Sequence, residues 1–172
     1  NFNVVKGFLN LKIKDQLFIG EFIITPDNSV SIYTKQFLHE GEDVYYQSSF
    51  DYNPTIELEN KKISFAICAD IDNPLHPENA SKNKTAIYIA SIFFSPNGIP
   101  VAHKALQKYA SIHNMNVLMA NFSGESWGYP SGGKSAFWNK QGELIAQMND
   151  TDSGLLLVKN ENDYWTSQLI ID

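Results

Sequence analysis

Short apolar runs separated by polar turns divide this chain into strands with two helices among them. The spacing of apolar residues predicts a helix at residues 101–113 that packs on a sheet, and a short helix at 77–82, where Pro77 suits the first turn. Alternating or continuous apolar segments predict strands at residues 4–5, 18–25, 30–35, 55–58, 63–67, 86–94, 116–121 and 155–158. Strands that alternate with helices predict a layered α/β or α+β domain.

Turn residues define the connections. Residues 36–54 and 123–133 are predicted to be loops, and residues 134–138 and 143–147 a hairpin around the turn Asn-Lys-Gln-Gly. After the last predicted strand, residues from about 159 to 172 are expected to form a C-terminal tail. Since no repeat or linker interrupts the pattern, residues 1–172 are predicted to be a single domain.

Charge and composition exclude several classes of function. The net charge is −6, and all 13 positive residues are lysines, so the bidentate guanidinium contacts that recognise phosphate or guanine are missing and nucleic acid is not an expected partner. No apolar stretch has the length of a membrane span, and no membrane partner is expected. A single cysteine makes no intramolecular disulfide, so we expect a reducing compartment, most simply the cytoplasm.

The single cysteine, Cys68, follows the apolar strand at 63–67 and precedes two aspartates and Pro74. A thiol at the end of a buried strand is well placed for nucleophilic attack, because backbone amides of the following turn can point at an incoming carbonyl. A lone cysteine is also commonly a buried and inert residue. Its position alone therefore leaves both interpretations open.

Lys35, at the end of the strand at 30–35, is the second candidate, and an acidic loop at residues 39–43 lies between it and Cys68. An ammonium group lowers the pKa of a neighbouring thiol and stabilises an oxyanion, while a carboxylate can hold the ammonium or move protons. The alternative is an ordinary solvated lysine beside solvated loop acids.

Histidines and aromatic residues give weaker signals. A dyad of Cys68 with His39 or His76 lacks an evident third group. His103 and His113 complete the set of histidines, whose spacing fits no metal site, so no metal is expected. Five aromatic residues could line a pocket or belong to the core: Tyr45, Tyr46, Phe94, Trp127 and Tyr129.

Three motifs in order resemble those of the nitrilase, or carbon–nitrogen hydrolase, superfamily. Each is weak alone, but their order and intervals hold from about residue 4 to about residue 158. The matching segments are 33–39 (YTKQFLH) for the lysine motif, 67–70 (ICAD) with Pro74 for the cysteine motif, and 132–135 (GGKS), Trp138 and 142–146 (GELIA) for the late hairpin motif.

The resemblance implies a four-layer αββα sandwich and a Glu–Lys–Cys triad that needs no cofactor. Cys68 matches the nucleophile, Lys35 the triad lysine, and Glu42 a second glutamate that follows the lysine in many members. The amide of Ala69 matches the backbone half of the oxyanion hole, and Asp70 is interpreted as a structural orienter. A one-residue error in register would move the role of Glu42 to Glu40 or Asp43.

The front of the domain departs from the family pattern. The general-base glutamate of the family precedes both the lysine motif and the segment that residues 6–8 resemble, whereas Glu21 lies in a later strand and is not assigned as the base. We therefore expect the first strand–helix units to be missing from residues 1–172, either because the chain is a fragment or because it is truncated and inactive. A natural domain without these strands would expose sheet edges and apolar faces, which favours the fragment.

The function implied is thiol-dependent hydrolysis of a small-molecule amide, nitrile or carbamoyl group through a cysteine thioester. The alternatives are an acyltransferase that uses the same thioester and a non-catalytic nitrilase-like module for oligomerisation or regulation. The resemblance also implies a homodimer or higher homo-oligomer, with contributions from the helix at 101–113 and from Tyr164 and Trp165.

Overall fold

The computed structural model describes the backbone of residues 9–126, 128–162 and 164–171, and the side chains of the same residues except Leu9. The strand predicted at residues 4–5, the segment at 6–8 and Trp127 lie outside the described residues. The helices are α1 (Leu75–Lys82) and α2 (Ile99–His113). The strands, in chain order, are β1 (Leu9–Ile13), β2 (Gln16–Ile24), β3 (Val30–Thr34), β4 (Ile56–Leu58), β5 (Lys61–Ile67), β6 (Thr85–Ile92), β7 (Asn116–Asn121), β8 (Ser123–Ser126), β9 (Tyr129–Gly132), β10 (Ala136–Trp138), β11 (Leu144–Gln147), β12 (Gly154–Glu161) and β13 (Tyr164–Ile171).

Two sheets form the centre of the described structure. The larger has the order β11-β10-β7-β6-β5-β4, and its central strands β5, β6 and β7 are parallel, joined by α1 and α2. The smaller is the antiparallel sheet β1-β2-β3. Parallel strands need crossover connections, which is why helices occur only in this part of the described chain.

Apolar residues fill the space on both faces of the larger sheet. On one face, Ala102 and Leu106 of α2 pack against the sheet in a cluster with Val117. On the other face, Ile23 of β2 packs with Phe65 of β5, which joins the two sheets. The described residues therefore form three layers in the order helices, larger sheet, smaller sheet, and the predicted layered α/β architecture is confirmed.

Burial on both faces explains the continuous apolar pattern of β5, whose last three residues are all buried. The end of β5 lies near the end of β3, because Asp70 accepts hydrogen bonds from Ile67 at the end of β5 and from Gln36 and Phe37 just after β3. The ends of these two strands carry the residues that the sequence marks as chemical candidates.

Three elements differ from the prediction. β1, which the sequence pattern did not predict, pairs with β2. Residues 123–126 and 129–132 pair as β8 and β9 instead of forming a loop. Glycine, serine and proline disfavour strands, but here each strand satisfies the backbone of the other. β12 extends to Glu161 and pairs with β13, so most of the segment predicted as a tail is strand. The polar residues 159–162 at the end of β12 hide the apolar pattern that resumes in β13.

Candidate active site

Cys68 lies directly after β5, as the first residue of a 3₁₀ turn (Cys68–Asp72). Its backbone is in the left-handed region with φ 46°, a conformation that costs a non-glycine residue about 1–2 kcal/mol. The thiol is partly buried and donates to the carbonyl oxygen of Phe93, 4.0 Å from Sγ. The sharp change from strand to turn places the thiol at the carboxyl end of β5.

Lys35 follows β3 and is almost completely buried, with 1% of its side chain exposed. Its Nζ donates to both carboxylate oxygens of Glu42, at 2.8 Å from Oε1 and 2.6 Å from Oε2. Glu42 Oε2 also accepts from the backbone N–H of His39 at 2.7 Å. The carboxylate that binds the ammonium is thus that of Glu42, whereas Glu40 faces an open cavity and Asp43 is exposed.

The surroundings of Cys68 act on its thiol in opposite directions. Burial raises the pKa of the thiol above its ordinary value, and the positive charge of Lys35 is the largest influence that lowers the pKa. The hydrogen bond to Phe93 also lowers the pKa, while Glu42 and Asp72 raise it. The structure therefore brings Lys35 and Glu42 close enough to Cys68 to influence the pKa of its thiol electrostatically.

Asp70 connects the strand ends that carry these groups. Its Oδ1 accepts from the backbone N–H groups of Gln36 (2.9 Å) and Phe37 (2.8 Å). Its Oδ2 accepts from the N–H of Ile67 (2.9 Å) and the hydroxyl of Tyr33 (2.7 Å). A buried carboxylate with four donors is a structural group, because its lone pairs are already engaged.

An open cavity of about 380 Å³ adjoins the turn that follows Cys68. Burial raises the pKa of Asp72 in its wall, while nearby His39 and Lys35 lower it. The cavity is large enough to hold a small organic molecule. Its lining residues are Leu38, His39, Glu40, Ala69, Asp72, Asn73 and Pro74.

The other sequence candidates have different surroundings. Both ring nitrogens of His76 are hydrogen-bonded to tyrosine hydroxyls, which removes the support for a dyad of Cys68 with His76. Nδ1 of His39 lies 3.0 Å from the carbonyl oxygen of Glu40. Tyr45 and Tyr129 are exposed to solvent at 71% and 69%. Sequence analysis overlooked the carbonyl of Phe93, which as a backbone atom leaves no signal in the sequence.

Metal sites and membrane-spanning helices are both absent from the described part of the chain. No cluster of three or more histidine, cysteine or acidic side chains there is arranged to hold a metal ion. The helices found in the same residues are too short or too polar to cross a membrane.

Comparison with known proteins identifies the fold. No protein-family model matches the chain, and no curated protein matches it at a significant level. A carbon–nitrogen hydrolase from Helicobacter pylori G27 superposes with a TM-score of 0.73 at 16% identity, over 83% of this chain and 56% of the other. A CN-hydrolase superfamily protein from Xanthomonas campestris, with an arsenic adduct in its active site, has a TM-score of 0.76 at 16% identity, over 94% and 60% of the two chains. For a mutant amidase from Nesterenkonia sp. AN1 with an acetamide moiety on its active-site cysteine, the TM-score is 0.70 at 16% identity, over 79% and 52%.

The chain has the fold of the carbon–nitrogen hydrolase, or nitrilase, superfamily. The resemblance drawn from the three motifs and the predicted architecture are confirmed at this level. The chain spans between 52% and 60% of the length of these structures. The described helix–sheet–sheet arrangement corresponds to three of the four layers expected of the αββα sandwich.

Proposed function

We propose that the protein hydrolyses a non-peptide carbon–nitrogen bond, that of an amide, a nitrile or a carbamoyl group, with Cys68 as the nucleophile. The observation that carries this proposal is the arrangement at the ends of β3 and β5, where a buried Lys35 held by Glu42 acts on the thiol of Cys68. One of the similar structures supports the proposal, since it is an amidase modified at its active-site cysteine.

In the proposed reaction on an amide, Sγ of Cys68 loses its proton to a base and forms a bond with the carbonyl carbon. The ammonium of Lys35 and the N–H of Ala69 stabilise the negative charge that develops on the oxygen. The carbon–nitrogen bond then breaks, the leaving amine takes up a proton, and a thioester remains on Cys68. Water attacks the thioester, which releases a carboxylic acid and restores the thiol.

The reaction also needs a group that acts first as a base and then as an acid, and the family resemblance gives this role to a glutamate of an early strand. Glu42 has a different task in the proposal, because its two oxygens hold the Lys35 ammonium. Glu42 thus keeps the positive charge in place while the substrate reacts. The open cavity beside Ala69 is proposed to receive the small-molecule substrate.

The test is hydrolysis of a panel of small amides, nitriles and carbamoyl compounds, with ammonia release as the measurement. We expect Cys68→Ala to abolish turnover, and Lys35→Ala to reduce kcat by about 10²–10³, the usual effect of losing one oxyanion donor. Rapid acid quenching followed by intact-mass analysis should show the acyl group on Cys68. Lys140→Ala, in the exposed turn between β10 and β11, is the control for protein quality. Ammonia release by Cys68→Ala at the wild-type rate contradicts the proposal.

A non-catalytic nitrilase-like module is the second candidate, and one observation favours it. Burial raises the pKa of the Cys68 thiol, which disfavours the reactive thiolate. A module of this kind predicts a thiol that reacts slowly with iodoacetamide and no hydrolysis of any compound in the panel. An acyltransferase, in contrast, would transfer the acyl group from Cys68 to an added amine, and the resulting amide is detectable in the same assay.

The assembly proposed is a homodimer or higher homo-oligomer in the cytoplasm. Exposed apolar residues support a contact surface on α2, where Val101 and Ile112 are 69% and 58% exposed, and on β13, where Tyr164 is 72% exposed. Light scattering coupled to size-exclusion chromatography measures the oligomeric state. A monomer at micromolar concentration contradicts this part of the proposal.

A further inference from the structure

A chain of buried polar side chains lies behind the turn of Cys68. The hydroxyl of Tyr88 lies 2.7 Å from Nδ1 of His76, and the hydroxyl of Tyr33 lies 2.8 Å from Nε2 of the same ring. The Tyr33 hydroxyl also donates to Asp70 Oδ2 at 2.7 Å. His76 is 4% exposed and the other three residues are 0% exposed, so water does not replace any of these bonds.

The hydrogen bonds that link Tyr88, His76, Tyr33 and Asp70 all run in one direction. An ionised Asp70 only accepts, so the Tyr33 hydroxyl donates to it, and the Tyr33 oxygen can then accept from Nε2–H of His76. A neutral imidazole has a single N–H, and Nδ1 of His76 therefore accepts from Tyr88. Burial lowers the pKa of His76, although Asp70 opposes this, and burial raises the pKa of both tyrosines. Neutral His76 and protonated tyrosines are the states that this direction requires.

The Asp70 carboxylate binds both segments that carry the catalytic candidates, Lys35 and Cys68. Three of the donors to Asp70 come from Tyr33, Gln36 and Phe37, which surround Lys35 in the sequence. The fourth is the N–H of Ile67, the residue before Cys68. A displacement or rotation of the Asp70 carboxylate would therefore move the strand end that carries Lys35 relative to the turn that carries Cys68.

We propose that Tyr33 and His76 are positioning residues that fix, through Asp70, the place of the Lys35 ammonium relative to Sγ of Cys68. Their importance for turnover rests on the proposed function, but their effect on the thiol does not need a substrate. Tyr33 orients the carboxylate directly, and His76 orients the Tyr33 hydroxyl by donating to its oxygen.

The test measures how fast iodoacetamide alkylates Cys68 at different pH values, with peptide mass analysis to locate the adduct. In Tyr33→Phe we expect the midpoint of the profile to move to higher pH by about half to one unit, which slows alkylation at neutral pH by about 3–10-fold. Lys35→Met should show a shift at least as large. The double variant should show no more than the Lys35→Met shift, because Tyr33 acts only through the lysine.

The control is Thr85→Val, at the start of β6, which removes a buried hydroxyl bonded to Ser64 at 2.6 Å. It should lower stability without moving the alkylation midpoint. An unchanged midpoint in Tyr33→Phe overturns the proposal. So does a Tyr33→Phe shift that adds in full to that of Lys35→Met.

Two variants of His76 keep the test decisive if Tyr33→Phe folds poorly. His76→Gln retains an N–H that can reach Tyr33 and should restore most of the wild-type midpoint, whereas His76→Leu removes the donor and should shift the midpoint as Tyr33→Phe does. Equal midpoints in the Gln and Leu variants, both folded by circular dichroism, refute the role of His76. If a substrate is found, kcat should fall in the Leu variant with KM unchanged. If the variants shift the alkylation midpoint as expected but the protein hydrolyses no compound, the proposed function is overturned and the positioning role stands.

Discussion

The ion pair of Lys35 and Glu42 joins a group that water hardly reaches to one that it partly reaches. The two side chains are 1% and 28% exposed, and Nζ lies 2.6 Å and 2.8 Å from the two carboxylate oxygens. With an effective dielectric constant of about 20, charges at this distance attract by about 6 kcal/mol, and desolvation offsets much of this attraction. The cost of breaking the pair therefore depends on which partner is left behind.

Glu42→Gln leaves the ammonium of Lys35 buried without a counter-charge, and we expect the free energy of unfolding to fall by about 3–5 kcal/mol. Lys35→Met puts an apolar chain of similar length in the buried space. It leaves a carboxylate that water reaches in part and that the N–H of His39 still binds, so we expect a loss of only about 1–2 kcal/mol. Urea unfolding followed by tryptophan fluorescence measures both values.

The same two variants should shift the pKa of the Cys68 thiol in opposite directions. Lys35 lowers the pKa of this thiol and Glu42 raises it, so Lys35→Met should shift the pH profile of alkylation upward and Glu42→Gln should shift it downward. A matched control is Lys82→Met, which breaks an exposed pair with Glu78 at 2.7 Å and should leave the free energy of unfolding almost unchanged, because water screens the pair. The reasoning is refuted if Glu42→Gln is no more destabilising than Lys35→Met, or if both variants shift the profile the same way.

Three further predictions concern the support of the site. Because burial lowers the pKa of His76, this residue binds a proton more readily in the unfolded chain than in the folded one. The contribution of neutral His76 to the free energy of unfolding should be fully present above about pH 6.5 and be lost as the pH drops toward the folded-state pKa. In urea titrations at several pH values, His76→Gln should reduce this loss. Asp70→Asn turns an amide toward donors that need an acceptor and should cost about 3 kcal/mol or more of unfolding free energy, whereas a loss below 1 kcal/mol would contradict the four-donor role. Gly133→Ala should lower the unfolding free energy by about 2–3 kcal/mol, since φ is +54° and the new Cβ meets Asp150 backbone atoms at 2.8 Å. Gly41→Ala, with φ +88° and open space around the new Cβ, should cost about 1 kcal/mol. Equal losses in the two variants would contradict the steric argument.

Local pattern was enough to predict the parts of the fold that carry the nucleophile. The continuous apolar run of β5 follows from burial on both faces, and the turn residues after it place Cys68 at a strand end. The spacing of Ala102, Leu106 and Ala110 predicted α2 because the helical repeat brings them to one face. The hairpin of β10 and β11 was predictable for a similar reason, since its turn residues are adjacent in sequence.

The hydrophobic pattern failed to predict strands that form only because they pair with another segment. The β8–β9 hairpin consists of residues with low strand preference, and its pairing, not its composition, makes it a strand pair. The polar turn between β12 and β13 resembles the start of a tail until the register of Leu156 with Leu169 is known.

The sequence by itself determined the order of strands and helices near the site and the presence of a thiol, a lysine and several acids in connecting segments. Only the tertiary structure decided that Glu42, and neither Glu40 nor Asp43, binds Lys35, because the 3₁₀ turn (Glu42–Val44) directs one carboxylate of three toward the ammonium. It also decided that His76 joins a buried chain to Asp70 rather than pairing with Cys68. The reason is physical: periodicity reports which face of an element is buried, whereas hydrogen bonds and charge effects depend on distances of a few ångströms between elements far apart in the chain.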